Sequence, residues 1–414
     1  MFNAKNHLEN VILPYWNSMK DVQNGGFYGF KTYNLETLKD SEKGCILHSR
    51  ILWFYSNVYL TIGGEENLEN ATHTYEFIKK HCFDYVYGGI FWMLNSDGSV
   101  KDPIKNAYNQ AFCIYGLSSY YRATKNQEAL SLAYRLFECL ETYCKDEFGY
   151  KEAFSQDWKS PVESAICDQG VVAEKTMNTL LHVLEAYTEL FLADAHPVVG
   201  EALVKTLEIA AHQVYNPEFV RLETFFDSEM KSLADIHSYG HDIEATWLLD
   251  RAAKVLEEVI SKNPSNYLNF SNNALKIVKS TLAYTPLISN RILEVAFDGV
   301  ALNNESRGEI GESNGNGKEH VDTDRIWWVQ AEAVVGFVNA YEVTKEEKFL
   351  DAGKKIFEYI ENVLTDKREG SEWFWSVSKA GKPEERGITE PWKCPYHNGR
   401  MCLELISRGF DKKS

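Results

Sequence analysis

Histidine changes charge near neutrality and can take up and return a proton within one turnover. Histidines that accompany an arginine and carboxylates are therefore the natural place to look for chemistry. Polar residues interrupt otherwise apolar segments in six groups along the 414-residue chain: His48 with Arg50; Tyr108 with Asn109; Asn178 with His182; His237, His241 and Glu244; Trp327, Trp328 and Glu332; and His397, Asn398 and Arg400. A single histidine of this kind is more often a satisfied core residue. Six groups at equivalent points of a repeating architecture are instead expected to converge on one cavity. An enzyme that lifts a proton from one face of a carbon and returns it to the other needs two imidazoles on opposite sides, and His241 and His397 supply them.

Two rival chemistries use the same residues. His237, His241 and Glu244 are spaced i, i+4, i+7, which on a continuous helix makes a metal-ligand face that His397 would complete. Tyr239 and Gly240 start the helix near His241, however, and place His237 in the preceding loop, so no metal is expected. Glu244 and Glu332 offer the carboxylate pair of a glycoside hydrolase, but such an enzyme seldom needs several histidines and an arginine in one pocket.

The elements that must position these groups recur. A glycine-and-aromatic punctuation appears as NGGFYGF, YGGIFWML, EFGYKEAF, EFVRLETFF, FDGVALNNE and REGSEWFWS, roughly 60–80 residues apart. Each interval carries two amphipathic helical segments joined by a short polar turn. HLENVILPYWNSMKD at one end and NGRMCLELISRGF at the other make a sixth pair only if the chain ends meet. The pattern predicts an all-α fold, an (α/α)6 barrel of about twelve helices and a single catalytic domain over 1–414. The helix after each punctuation belongs to the inner ring, and short hairpins line the mouth of the cavity. A Gly/Asn-rich insert, Gly308 to Asp324, reads as a surface loop or a lid.

Composition narrows the function. A net charge of −17 argues against gripping a phosphate backbone, so no nucleic-acid partner is expected. No window approaches the ~18 apolar residues of a membrane span, and the N-terminus lacks a signal-peptide pattern, so a cytoplasmic, monomeric protein is expected. Eight scattered cysteines without a CxxC pair read as free buried thiols. Aromatic residues make up 13% of the chain; core packing explains most of them, and rings of this kind also stack on sugar faces.

The stretches NGGFYG, GCILHSRILWFYSN, KTMNTLLHVLEAYTEL, DIHSYGHDIEATWLLDRA, RIWWVQAEAVVGFVNAY and PWKCPYHNGRMCLELISRG resemble the N-acylglucosamine 2-epimerase superfamily, and the likeness runs from about Leu8 to the C-terminus. The resemblance implies an (α/α)6 barrel that converts a reducing-end glucose to mannose in β-1,4-linked disaccharides such as cellobiose, lactose or mannobiose, through ring opening and a cis-enediolate, with no nicotinamide or other cofactor. It implies that Arg50 and His182 bind the enediolate oxygens and that His241 and His397 are the acid/base pair. Tyr108, Asn178 and Glu244 match sugar-binding or orienting positions, with Glu332 beside them. Trp328, next to Trp327, and Trp392 match aromatic positions around the sugar rings. Both histidines would need pKa values near the operating pH, tuned by burial or by a carboxylate such as Glu244. An aldose-ketose isomerase and an N-acylglucosamine 2-epimerase share this machinery. A glycoside hydrolase would share only the barrel, and a non-catalytic sugar-binding protein would use the cavity alone.

Overall fold

A computed structural model describes residues 1–162, 171–308 and 320–412. Most of the Gly/Asn-rich insert, residues 309–319, and Cys167 fall outside them. The helices are α1 (Ala4–His7), α2 (Leu13–Ser18), α3 (Cys45–Ile62), α4 (Glu65–Phe77), α5 (Ala107–Thr124), α6 (Gln127–Cys139), α7 (Met177–Asp194), α8 (Pro197–Ile209), α9 (Tyr239–Lys262), α10 (Ser271–Val295), α11 (Trp327–Thr344), α12 (Glu347–Tyr359) and α13 (His397–Ser407). Strands among the described residues are two or three residues long. The class is all-α, that of the (α/α)6 barrels.

The chain folds as two compact units. One comprises Met1–Cys144, Ala153–Val162 and Glu361–Ser414, the other Lys145–Glu152 and Glu163–Ile360. In the first, α3 packs against α5 and α13, and α13 packs against α1. The two chain ends bridge at Phe2 and Asp411, and the Ala4 N–H donates to Asp411 Oδ1 at 2.7 Å, so the terminal segments do pair. In the second, α9 packs against α7, α10 and α11.

Inner and outer helices differ as the periodicity predicts. Residues from Cys45 to Ser56 of α3 are buried in an unbroken run, the signature of a helix enclosed on all sides. By contrast, α6 buries a single stripe that includes Ala129, Leu132, Ala133 and Leu136. Neighbouring inner helices approach closely at glycine. A Cβ on Gly116 of α5 would lie 2.6 Å from the Ser49 carbonyl oxygen, and one on Gly336 of α11 would lie 2.6 Å from that of Ile243. Four inner helices, α3, α5, α7 and α11, end on a residue of positive φ, Gly63, Lys125, Ala195 or Lys345, whose N–H returns to the carbonyl of an aromatic residue four places earlier.

In four repeats a second set of interactions ties the punctuating loop to the helix after it. An aspartate folds the loop by accepting backbone N–H bonds two and three residues on, as Asp84 does from Val86 and Tyr87. The basic residue two positions before the inner helix then pairs with it: Lys43 with Asp21 at 2.7 Å, Lys105 with Asp84 at 3.0 Å, Lys175 with Asp146 at 2.8 Å, and Arg325 with Asp298. The fourth helical residue accepts the N–H of the loop's apolar residue, as Gln110 does from Ile90 at 2.7 Å and Gln330 from Leu302 at 2.9 Å. Backbone groups of the loops thus find side-chain partners within the same repeat.

Candidate active site

The repeat assigns the site residues to fixed helical positions. Arg50, His182, Glu244 and Glu332 are each the sixth residue of an inner helix, in α3, α7, α9 and α11. Tyr108, Asn178 and Trp328 are each the second residue, in α5, α7 and α11. Positions two and six lie on one face of a helix, one turn apart.

In the first unit, Arg50 is buried and gathers aromatic partners. Its Nη2 donates to Tyr108 Oη at 2.7 Å and its Nη1 to the Trp392 carbonyl at 3.2 Å. The guanidinium lies 4.1 Å from the Phe112 ring centroid and 5.0 Å from that of Tyr396. Its Nε is buried with no hydrogen-bond partner among the described residues, which leaves a donor for an incoming oxygen. Trp392 is half-buried and tilts against Trp92 at 5.4 Å and Tyr108 at 6.0 Å. His397 opens α13 with its ring edge-on to Tyr396 at 4.5 Å. Tyr396 therefore touches both Arg50 and His397.

In the second unit, His182 and Glu185 are both buried, with Nδ1 and Oε2 2.9 Å apart, so the carboxylate fixes the imidazole. His241 lies 4.7 Å from Trp328, ring to ring, and its Nδ1 is 2.8 Å from Ser238 Oγ. A Cβ on Gly240 would lie 2.6 Å from the Trp328 ring, so only glycine admits this indole. Burial and the charge of His182 lower the His241 pKa to about 3, against the opposing pull of Glu332. The resting imidazole is therefore neutral, its pKa well below the near-neutral value expected, and the Glu332 carboxylate acts on it. Glu332 is itself held by Trp247, whose Nε1 donates to Oε2 at 3.0 Å. Glu244 is buried. Asn178 carries a buried Oδ1 with no hydrogen-bond partner among the described residues, an acceptor suited to a sugar hydroxyl. Of the adjacent tryptophans, Trp327 is buried in the core, whereas Trp328 is half-buried.

Several polar residues of the six groups are structural instead. His48 is the fourth residue of α3 and fully buried; its Nε2 accepts the Phe27 N–H at 3.0 Å, so the proton is on Nδ1, which donates to the Gly44 carbonyl at 2.8 Å. Burial lowers its pKa to about 3, and the ring stays neutral. Asn109 donates to the Phe91 carbonyl at 2.8 Å, and Arg400 donates to Tyr396 Oη. His237 occupies the slot that Lys43, Lys105, Lys175 and Arg325 fill in other repeats, and its Nε2 sits 2.8 Å from Asp242 Oδ2. It is part of the strand Ile236–Ser238, before α9 begins at Tyr239, so the i, i+4, i+7 ligand face does not form.

Tyr396, Trp92, Glu185, Trp247 and Ser238 are not distinguished by the sequence pattern. Glu185 is within its reach, because an acidic residue three places after a histidine on a helix shares its face. The others depend on contacts between segments that no local pattern reports.

Comparison with known proteins assigns the family and agrees with the fold. The family model described as N-acylglucosamine 2-epimerase (GlcNAc 2-epimerase) matches residues 25–398. A cellobiose 2-epimerase of Ruminococcus albus is 48% identical over 409 residues, covering 98% of each chain. Among solved structures, a sugar epimerase from a ruminal bacterium superposes with a TM-score of 0.90 at 47% identity, covering 99% of each chain. Cellobiose 2-epimerase from Bacillus thermoamylovorans B4167 superposes with a TM-score of 0.87 at 40% identity, covering 98% of each. The chain belongs to the N-acylglucosamine 2-epimerase family.

Proposed function

We propose that this protein is a cellobiose 2-epimerase, which interconverts glucose and mannose at the reducing end of β-1,4-linked disaccharides, and that residues 1–414 act as one catalytic domain. The observation that carries the reading is near-half identity, over almost the whole of both chains, to a cellobiose 2-epimerase. It is supported by the recurrence of the expected polar groups at positions two and six of the inner helices.

In this reading the reducing sugar opens to its aldehyde and one imidazole of the pair His241 and His397 removes the C2 proton. The electron pair of the C2–H bond moves into a C1–C2 double bond, and the carbonyl electrons move onto O1. Arg50 stabilises that oxyanion, since its guanidinium is already oriented by Tyr108 and the Trp392 carbonyl and needs no reorganisation. His182, fixed by Glu185, holds a second oxygen of the enediolate. Rotation about C2–C3 presents the other face, and the second imidazole returns a proton to C2. A neutral resting His241 is the form that accepts a proton. Trp328, Trp392, Tyr108, Asn178, Glu244 and Glu332 shape and orient the sugar rings.

Incubation with cellobiose, and separately with N-acetylglucosamine, in deuterated water followed by NMR tests the proposal. Deuterium at C2 of a newly formed mannose residue is the expected result, unchanged after exhaustive chelation. Inert cellobiose with a reactive monosaccharide would overturn the substrate assignment. A ketose product would make the protein an aldose-ketose isomerase, and recovery of lost activity on adding back metal would restore a metal mechanism.

A further inference from the structure

Ser238 stands at the N-cap of α9, where its hydroxyl would ordinarily accept a backbone N–H from the first turn. At two other inner helices, α5 and α7, the cap residue is used that way. The Asn106 side chain accepts from the Asn109 N–H at the start of α5, and the Thr176 hydroxyl accepts from the Thr179 N–H at 3.0 Å at the start of α7. At α9 no side-chain cap forms, and Ser238 Oγ, buried in its strand, instead lies 2.8 Å from Nδ1 of His241, the third helical residue. The cap residue is thus redirected from the backbone of the third residue to its side chain, at the one such helix whose third residue is a histidine.

We propose that Ser238 is a positioning residue that accepts the Nδ1–H of His241 and so fixes the tautomer in which Nε2 carries the lone pair that exchanges protons with substrate. This deepens the proposed function and rests on its assignment of His241 to proton transfer. The chemistry is consistent in both directions. With Nδ1–H bonded to the hydroxyl, Nε2 is a base in the neutral ring and a donor in the imidazolium, and the bond from Nδ1 persists through the exchange. The opposite arrangement, a hydroxyl donating to Nδ1, would place the neutral ring's hydrogen on Nε2 and remove the base. Trp328 against the ring face and Ser238 on Nδ1 then hold the imidazole from two sides.

The test compares Ser238→Ala and Ser238→Thr with the unaltered enzyme, reading kcat and KM on cellobiose and the ¹⁵N resonances of the His241 ring without substrate. Ser238→Ala should lower kcat by about 10- to 100-fold with KM nearly unchanged, and move the His241 ¹⁵N shifts from the Nδ1–H tautomer toward a tautomer mixture. Ser238→Thr should recover most of both. Unchanged ¹⁵N shifts in Ser238→Ala, or a loss of turnover that threonine does not repair, would overturn the inference. His241→Ala separates it from the underlying assignment: if that variant turns over normally, His241 is not the proton-transfer group, whatever the Ser238 variants show.

Discussion

The starts of α5 and α9 occupy the same point of the repeat and use it differently. At α5, Lys105 pairs with Asp84, Asn106 caps the helix and Gln110 accepts the Ile90 N–H, so these three groups anchor the loop and the helix start. At α9 the basic slot holds His237, which pairs with Asp242 of its own helix; Asp242 also accepts the Leu222 N–H at 3.1 Å. The cap serine turns to the His241 ring, and Gly240 opens room for Trp328. Where the repeat is kept, the helix start is anchored. Where it is broken, the cap side chain turns from the backbone to an imidazole.

The largest expected break in this comparison is at His241. His241→Ala should lower the epimerisation rate by about 10²- to 10⁴-fold while the unfolding midpoint moves little, and His397→Ala should do the same. Near-normal turnover in either variant would remove that residue from the mechanism. At α5 the effect should fall on stability. Lys105→Met leaves the buried Asp84 carboxylate without its cation, a loss of about 3–5 kcal/mol readable by denaturant titration. A smaller contrast separates the caps. Asn106→Ala should lower stability by about 1 kcal/mol with turnover retained, whereas Ser238→Ala should change turnover more than stability.

Acid titration sharpens the comparison further. His241 and His48 have folded-state pKa values near 3, below the ordinary imidazole value, so protonation favours the unfolded chain. The contribution of both rings to stability is fully present above about pH 6.5 and declines as pH falls from there toward 3. NMR should show both rings neutral at about pH 5; a His241 midpoint near the ordinary imidazole value of about 6.5 would contradict the burial assigned to it.

Much of the fold was legible in the sequence because helical periodicity and loop punctuation are local signals, repeated often enough to reinforce one another. The pairing of the chain ends followed from one unpaired helical segment at each end, and Phe2 with Asp411 makes that contact. Candidate site residues stand out in the sequence as polar interruptions of apolar helices, but their division into two kinds does not. His48 and His241 look alike in sequence, yet one spends both ring nitrogens on backbone groups and the other presents a nitrogen beyond its serine. That His237 and His241, four residues apart, share no continuous helix was legible from Tyr239 and Gly240, and the strand ends at Ser238 between them.

By itself the sequence determined which residue types recur at which phase of the repeat, since apolar periodicity, caps and turn residues act over a few neighbouring positions. Only the tertiary structure decided which polar groups are satisfied by the loops packed on them, because a hydrogen bond such as that from Phe27 to His48 joins segments whose separation along the chain carries no local signature.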